Sequence, residues 1–233
     1  IAFGIWYLVW KMQQPWLAAS SYHGLVWLAI PPMVIWSINL YNFMDGIDGI
    51  AGVQALFMLL VMALCFWLAG GHAMAALAVC LMAVVGGFLV WNWPQAELFM
   101  GDVGSGFLGF VMVAFALVGQ IQYDIPLLVW LISYSLFLFD ASVTLLRRIV
   151  AREQWYQPHQ KHAFQRLYLA GWSHQQVLFG VIIVNVLLSG LALLAYLHVE
   201  LWWPCALIAL SVLSLIYGWV ERRQPMFTSL TST

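Results

Sequence analysis

IAGVQALFMLLVMALCFWLAG, residues 50–70, runs from end to end without a charged side chain. About 20 mostly apolar residues are what an α-helix needs to cross the hydrocarbon core of a bilayer. Outward from this stretch the same signature recurs at 24–40, 73–93, 104–122, 125–146, 175–197 and 202–220, and residues 1–10 read as the tail of one more helix. Composition agrees: 64% of the 233 residues are hydrophobic, 16% aromatic and only 7% charged. A soluble domain carries about 25% charged residues, so lipid is the expected solvent here. The fold class that follows is an all-α polytopic membrane protein with about seven full transmembrane helices and a partial first one. Pro31-Pro32 predicts a kink or break in the first full span.

Net charge is −1, which excludes a basic nucleic-acid surface. Cys65, Cys80 and Cys205 sit singly in apolar runs and read as small core hydrophobes. Residues 1–233 read as one integral-membrane domain, with no repeat and no soluble domain between spans. The opening, IAFGIWYLVW, has no initiator Met and no basic n-region. It reads as the second half of a helix, not as a signal peptide.

Parity sorts the loops. If every segment spans, the loops near 41–49, 94–103 and 147–174 share one face with the tail from 221. That face holds Arg147, Arg148, Arg152, Lys161, Arg166, Arg222 and Arg223, and the opposite face holds Lys11. The positive-inside rule makes the first face cytoplasmic. Asp45, Asp48, Glu97, Asp102, Glu153, His159 and His162 fall on it too, whereas Asp124 and Glu200 stand isolated on the other.

Three clusters on that face could carry chemistry. Asp45 and Asp48 are three residues apart, so on a helical turn both carboxylates face one way and repel unless a cation or a proton intervenes. A polar turn capping the next span is the plainer reading. The second cluster, Met100-Gly-Asp102-Val-Gly104-Ser105-Gly106, opens a span. It is either an ordinary helix cap or a phosphate seat at a helix N-terminus, with Asp102 as a hard oxygen ligand suited to Mg²⁺. The third, in the loop 147–174, offers His159, Lys161, His162 and Arg166 as a clamp for an anionic substrate. Ordinary positive-inside charge accounts for Arg147, Arg148 and Arg152 but not for the histidines. Asp140 lies within a span and shares a helix face with Arg147, which allows either a structural pair or a direct role. His174 reads as the start of a span. His23, His72 and His198, like Trp91, Trp93, Trp202 and Trp203, read as interfacial.

Carboxylates, a phosphate-ready helix start and a basic histidine loop on one face suit metal-assisted phosphoryl transfer. The stretches NLYNFMDGIDGIAG, NWPQAELFMGDVGSGFLGF and PHQKHAFQRL resemble three motifs of the polyprenyl-phosphate N-acetylhexosamine-1-phosphate transferases (glycosyltransferase family 4). The nearest likeness is to the branch that initiates bacterial O-antigen synthesis. The resemblance covers residues 1 to about 190.

The resemblance implies transfer of N-acetylhexosamine-1-phosphate from a UDP-N-acetylhexosamine to undecaprenyl phosphate, in the bacterial inner membrane, with UMP as the second product. It implies Mg²⁺ as cofactor, Mn²⁺ being an alternative, and a homodimer. It assigns Asp102 and Asp48 to the metal, with Asp45 and Asp48 as the aspartate pair. Asn92 and Phe99 fall to the uracil, His159 and His162 to the donor phosphates, and Asn42 to a motif position. Gly104, Ser105, Lys161 and Arg166 join them as substrate contacts. One departure is clear. The family carries an adjacent Asp-Asp pair in an earlier loop, and this chain has no Asp before Asp45. The expectation is that about three helices of the family architecture are missing from the chain. Two other classes remain open. An intramembrane aspartyl protease would need two facing aspartates and would ignore His159 and His162. A membrane carrier would place its polar site near the midplane, where only Asp140 lies.

Overall fold

The computed structural model describes residues 23–227 apart from 155 and 158. The partial helix expected at residues 1–10, Lys11, and Pro158 lie outside the described residues. Those described form α1 His23–Met44, α2 Ile50–Leu68, α3 His72–Asn92, α4 Gly101–Gln122, α5 Leu127–Val150, the short α6 Ala163–Leu169, α7 His174–Leu197, a 3₁₀ turn Val199–Leu201, and α8 Trp202–Arg223. Among the described residues there is no strand. The protein is thus an all-α, multi-pass membrane protein. Helices α2, α3, α4, α5, α7 and α8 are long and apolar enough to cross a membrane, and α1 contributes the shorter apolar run Leu28–Met44.

Each of the seven full spans expected from residue 24 onward is therefore occupied by a helix. In α1, Pro31 and Pro32 lie inside an unbroken helix, so the break allowed for in the sequence does not occur. The helix packs instead against α4. At the other end of the chain's fourth loop, α5 continues to Val150 and α6 forms beyond it, so the region 147–174 is less of a loop than expected.

The bundle is organised around α2, which α3, α4, α5 and α7 surround. Its charge-free sequence suits that position, since a helix apolar on all sides can be buried on all sides. α3 and α8 are peripheral and turn large apolar side chains outward, such as Val84, Val90 and Leu215. In water such a surface would aggregate; against lipid tails it is the expected exterior. Cys65 and Cys205 are buried as expected, but Cys80 is exposed on the outer face of α3. That helix packs mainly on α2, and its outer face is uncovered among the described residues.

Lipid tails are as apolar as leucine, so tight helix pairing depends on small residues and close fit. Gly109 of α4 shows this. A Cβ there would lie 2.6 Å from the Ser37 carbonyl oxygen and 2.9 Å from the Ile38 Cα of α1. The Ser37 hydroxyl donates to the Gly109 carbonyl at 2.8 Å. This contact sets the spacing of α1 and α4 directly beneath the loops that carry the acidic residues.

Candidate active site

Because helices alternate in direction, the C-termini of α1, α3, α5 and α8 meet the N-termini of α2, α4 and α7 at one end of the bundle. The contacts described below join all of them. The expected grouping of the three acidic and histidine segments on one face is what the fold produces.

The first wall is built by α1 and α4. Five residues beyond Ser37, the Asn42 amide donates to Asp102 Oδ1 at 3.0 Å and to the Ser105 hydroxyl at 3.0 Å. Ser105 is fully buried and donates back to the Gly101 carbonyl at 3.2 Å. It supports Asn42 and is not presented to a substrate, contrary to expectation. The N-cap of α4 is Met100, with no side-chain cap, and Asp102 lies in the first turn. The cap reading of Asp102 therefore fails. The first-turn N–H groups and an exposed carboxylate stay available to an anion and a cation, respectively.

Asp45 occupies the turn after α1, where its N–H bonds the Asn42 carbonyl at 3.3 Å. Burial, and then the charge of Asp102, push its carboxyl up to about 6. The carboxylate facing Asp102 electrostatically is thus Asp45. Asp48 points elsewhere: its Oδ2 lies 3.0 Å from His174 Nδ1 and accepts the Ala96 N–H at 3.3 Å. The resemblance pairs Asp102 with Asp48 on the metal, whereas in the fold Asp102 acts on Asp45 and Asp48 is bonded to His174 and Ala96. The reason is the left-handed turn at Gly49 (φ 78°), which starts α2 at once and swings Asp48 toward α7.

Asn92 also departs from expectation. It is buried, its Oδ1 accepts the Gly49 N–H at 3.0 Å, and its Nδ2 donates to the Leu98 carbonyl at 2.8 Å. Each end of the amide makes one bond, so Asn92 ties two loops together, a structural role that the sequence did not reveal. Gln175 Nε2 adds a bond to the Pro94 carbonyl at 3.3 Å. These ties hold the loop that ends in Phe99, whose ring is 72% exposed and free to receive a flat partner. Gly104 lies one turn on, close under the Met100 side chain.

The histidine segment forms the opposite wall. His159 lowers to about 4 because burial and then neighbouring His162, Arg148 and Lys161 disfavour its charged form. Its Nδ1 accepts the Lys161 N–H at 3.3 Å, so the neutral ring carries its proton on Nε2. His162 is 3% exposed and stacks on Phe164 at 5.8 Å with an interplanar angle of 8°. Its Nδ1 is 3.5 Å from Asp140 Oδ1 but makes no hydrogen bond. Asp140 is occupied elsewhere: its oxygens accept the Ala163 N–H at 3.0 and 2.9 Å and the Thr144 hydroxyl at 3.1 Å. It caps α6 from a different helix, and Arg147 is not its partner.

Among the described residues the cations expected to form a clamp are paired with carboxylates. Lys161 pairs with Glu153, whose carboxyl is lowered by that bond first, and Arg148 pairs with Glu153 at 3.0 Å. Arg166 is 2% exposed, bonds Glu221 and the Gln224 carbonyl, and lies over the Tyr217 ring at 4.9 Å. Arg147 also bonds Glu221, at 2.6 and 2.8 Å. These cations fasten α5, α6 and α8 together and leave little charge for a ligand.

Asn42, His159 and His162 line one cavity of about 600 Å³ together with Asn39, Trp36, Phe43 and Tyr156. The sequence reading missed Glu153 and Glu221 as the partners of the basic residues, and it took His174 for a simple span start. A signal was present: Ser173 and Gln176 form a capping box, which fixes the α7 start next to the acidic loops.

A family model described as "Glycosyl transferase family 4" matches residues 3–120. The chain belongs to glycosyl transferase family 4. Within this family it is similar to three curated proteins. One, from Bacillus subtilis, is named "Probable undecaprenyl-phosphate N-acetylglucosaminyl 1-phosphate transferase"; it is 28% identical over 71% of this chain and 48% of its own length. An "Undecaprenyl-phosphate alpha-N-acetylglucosaminyl 1-phosphate transferase" from Escherichia coli is 25% identical over 81% of this chain and 53% of its own. A "Phospho-N-acetylmuramoyl-pentapeptide-transferase" from Caldicellulosiruptor bescii is 28% identical over 75% and 54%. The chain spans about half the length of the curated relatives it matches. The family match takes in Asn42, Asp45, Asp48, Asn92, Phe99 and Asp102 and ends before His159.

Proposed function

We propose that the protein transfers N-acetylhexosamine-1-phosphate from a UDP-sugar to undecaprenyl phosphate, at the cytoplasmic face of a bacterial inner membrane. The product would initiate O-antigen or another cell-envelope polysaccharide. A phosphate oxygen of the lipid attacks the sugar-bearing phosphorus of the donor. A new P–O bond forms, the diphosphate P–O bond breaks, and UMP leaves with the electron pair. The observation that carries this reading is the juxtaposition of Asp45, Asp102 and Asn42 beside a cavity also lined by His159 and His162, at the membrane-surface end of the bundle.

Mg²⁺, or Mn²⁺ in its place, suits the donor set. Among the described residues no group of three or more His, Cys, Asp or Glu forms a closed metal cage. Mg²⁺ does not need one: it takes one or two carboxylates and fills the rest of its shell with water and substrate phosphates. The Asp102 carboxylate is close enough to Asp45 to add to burial in raising the Asp45 carboxyl, and such a pair gains from a cation. When bound, the ion would neutralise charge on the transferring diphosphate.

The chain's own residues do the rest. Asn42 fixes the Asp102 carboxylate. His159, neutral with its proton on Nε2, offers a hydrogen-bond donor to a phosphate oxygen without the cost of burying a cation. Asp140 holds α6, and so the backbone that follows His162. Exposed Phe99 suits the flat uracil. The decisive experiment reconstitutes the full-length reading frame with undecaprenyl phosphate, Mg²⁺ and a panel of UDP-N-acetylhexosamines, and follows UMP. Lipid- and Mg²⁺-dependent UMP from one sugar supports the reading and identifies the donor. No UMP from any sugar in a folded preparation refutes it.

A further inference from the structure

A second cavity lies on the far side of the Asp140–His162 wall from the one described above. It has a volume of about 320 Å³ and is bounded by Phe137 of α5, Val177 and Gly180 of α7, and Leu213 of α8. Phe164 and Leu167 of α6 also line it, so the helix that follows His162 forms one of its walls. The lining is almost wholly apolar. Asp140 borders it, but both carboxylate oxygens are already engaged by the Ala163 N–H. Water has no partners there, and an apolar void of this size forfeits the dispersion contacts of every side chain around it.

The cavity opens outward between α7 and α8. Ile183 and Trp219, which line it, are 56% and 38% exposed. At the mouth the Trp172 and Trp219 rings meet edge to face at 5.6 Å. The Arg223 guanidinium lies over the Trp219 ring at 5.3 Å. Arg222 and Arg223 are both exposed and make no ion pair among the described residues. An apolar slot, an aromatic rim and two unneutralised arginines at a helix end match the layers of a phospholipid: chain, interface and phosphate.

We propose that this cavity holds one acyl chain of an anionic membrane phospholipid, with its phosphate seated at Arg222 and Arg223. The occupant is a bilayer lipid and not the polyprenyl acceptor, because a phosphate at Arg223 lies outside α6 and across the Asp140–His162 wall from Asn42 and His159. The chain would pack against α6 and brace the backbone that carries His162. The inference does not depend on the transfer reaction.

The test uses the whole chain in detergent, equilibrated with equal amounts of phosphatidylglycerol and phosphatidylcholine of matched acyl chains. Native mass spectrometry counts the lipid retained. One retained lipid is expected, with phosphatidylglycerol favoured about 25-fold, which corresponds to about 1 kcal/mol, or fivefold, for each of the two arginines near the surface. Gly180→Leu should abolish retention. A Cβ at Gly180 meets nothing within 4 Å, so the added side chain fills the slot without forcing the helices apart. Arg223→Gln, at an exposed position, should keep the lipid but lower the preference about fivefold. The proposal is overturned if the wild type retains no lipid, if Gly180→Leu retains it unchanged, or if undecaprenyl phosphate displaces phosphatidylglycerol at equal concentration.

Discussion

Replacing Gly109 with alanine tests the link from helix packing to the site. The added Cβ would begin 2.6 Å from the Ser37 carbonyl oxygen, and ordinary contact starts at 3.4 Å. Both nearest obstacles, the Ser37 oxygen and the Ile38 Cα, are backbone, so no side chain can rotate out of the way. Helices α1 and α4 must part by about 0.8 Å, the difference between those two distances. The Ser37–Gly109 bond then stretches beyond hydrogen-bonding range. Overpacking of this kind costs about 1–3 kcal/mol, and an interhelical hydrogen bond within a membrane adds roughly 0.6 kcal/mol. The same parting lengthens both bonds from Asn42, to Asp102 and to Ser105, which now measure 3.0 Å. A shift of about 1 Å in a positioned group can cost roughly a hundredfold in rate. The assay pairs thermal unfolding in detergent with UMP release by the full-length protein. Gly106→Ala is the control: it lies on the same helix, and its Cβ would meet only Ile38 Cγ2, at 3.7 Å. Gly109→Ala should lower both melting temperature and turnover, and Gly106→Ala neither. If the two variants behave alike, the close approach does not set the α1–α4 spacing. If Gly109→Ala melts earlier but turns over normally, that spacing does not position Asn42.

Four further outcomes are expected. Asp102→Asn should reduce UMP release by about a hundredfold or more with little change in melting, because the side chain is exposed; unchanged turnover would remove Asp102 from the site. Phe99→Ala should weaken UDP-sugar binding more than lipid binding in titrations of each substrate, and an equal loss of both would argue against stacking on uracil. His159, lowered to about 4, binds fewer protons folded than unfolded between that value and its ordinary 6.5, so stability should rise with pH across this window; His159→Gln should flatten that part of the melting-temperature profile. Glu221→Gln leaves the buried Arg166 guanidinium without its carboxylate and should cost about 3 kcal/mol, against less than about 1 kcal/mol for Lys161→Gln in its more exposed pair with Glu153, both read from chemical unfolding.

The helices were legible because lipid leaves a chain few choices. Backbone groups in a bilayer must be satisfied within the segment, so a charge-free run such as 50–70 is a helix almost by necessity. The grouping of the acidic and histidine segments was legible for the same reason: once the spans are counted, direction alternates. What stayed hidden depends on partners far along the chain. Helix α6 has seven residues, too few to show a period, and is capped by Asp140 from α5. Pro31 and Pro32 signal a break locally, yet the helix runs on against α4. Asp45 and Asp48 look equivalent in sequence. One left-handed residue, Gly49, sends them to different neighbours, and a three-residue spacing cannot reveal that when the segment is a turn and not a helix. The internal partners of Asn92 and Arg166 were hidden for a related reason: a polar side chain that appears available in sequence is often already paired in the fold.

The pairing of charge bears directly on the proposed chemistry. Lys161 and Arg148 share Glu153, and Arg147 and Arg166 share Glu221. Of these, Lys161 and Arg166 were expected as counter-charge for a nucleotide diphosphate, and each is held by a carboxylate. His159 is neutral at physiological pH by virtue of its own surroundings. What remains at the site is a pair of carboxylates, Asp45 and Asp102. An anionic donor and an anionic lipid phosphate approaching that pair would be repelled together unless positive charge arrives with them. A divalent ion carried in on the donor diphosphate would supply it. The same ion would relieve the repulsion by Asp102 that adds to burial in raising the Asp45 carboxyl. On this reading donor and ion bind as a unit, and removing Mg²⁺ should abolish UDP-sugar binding itself rather than only the transfer step.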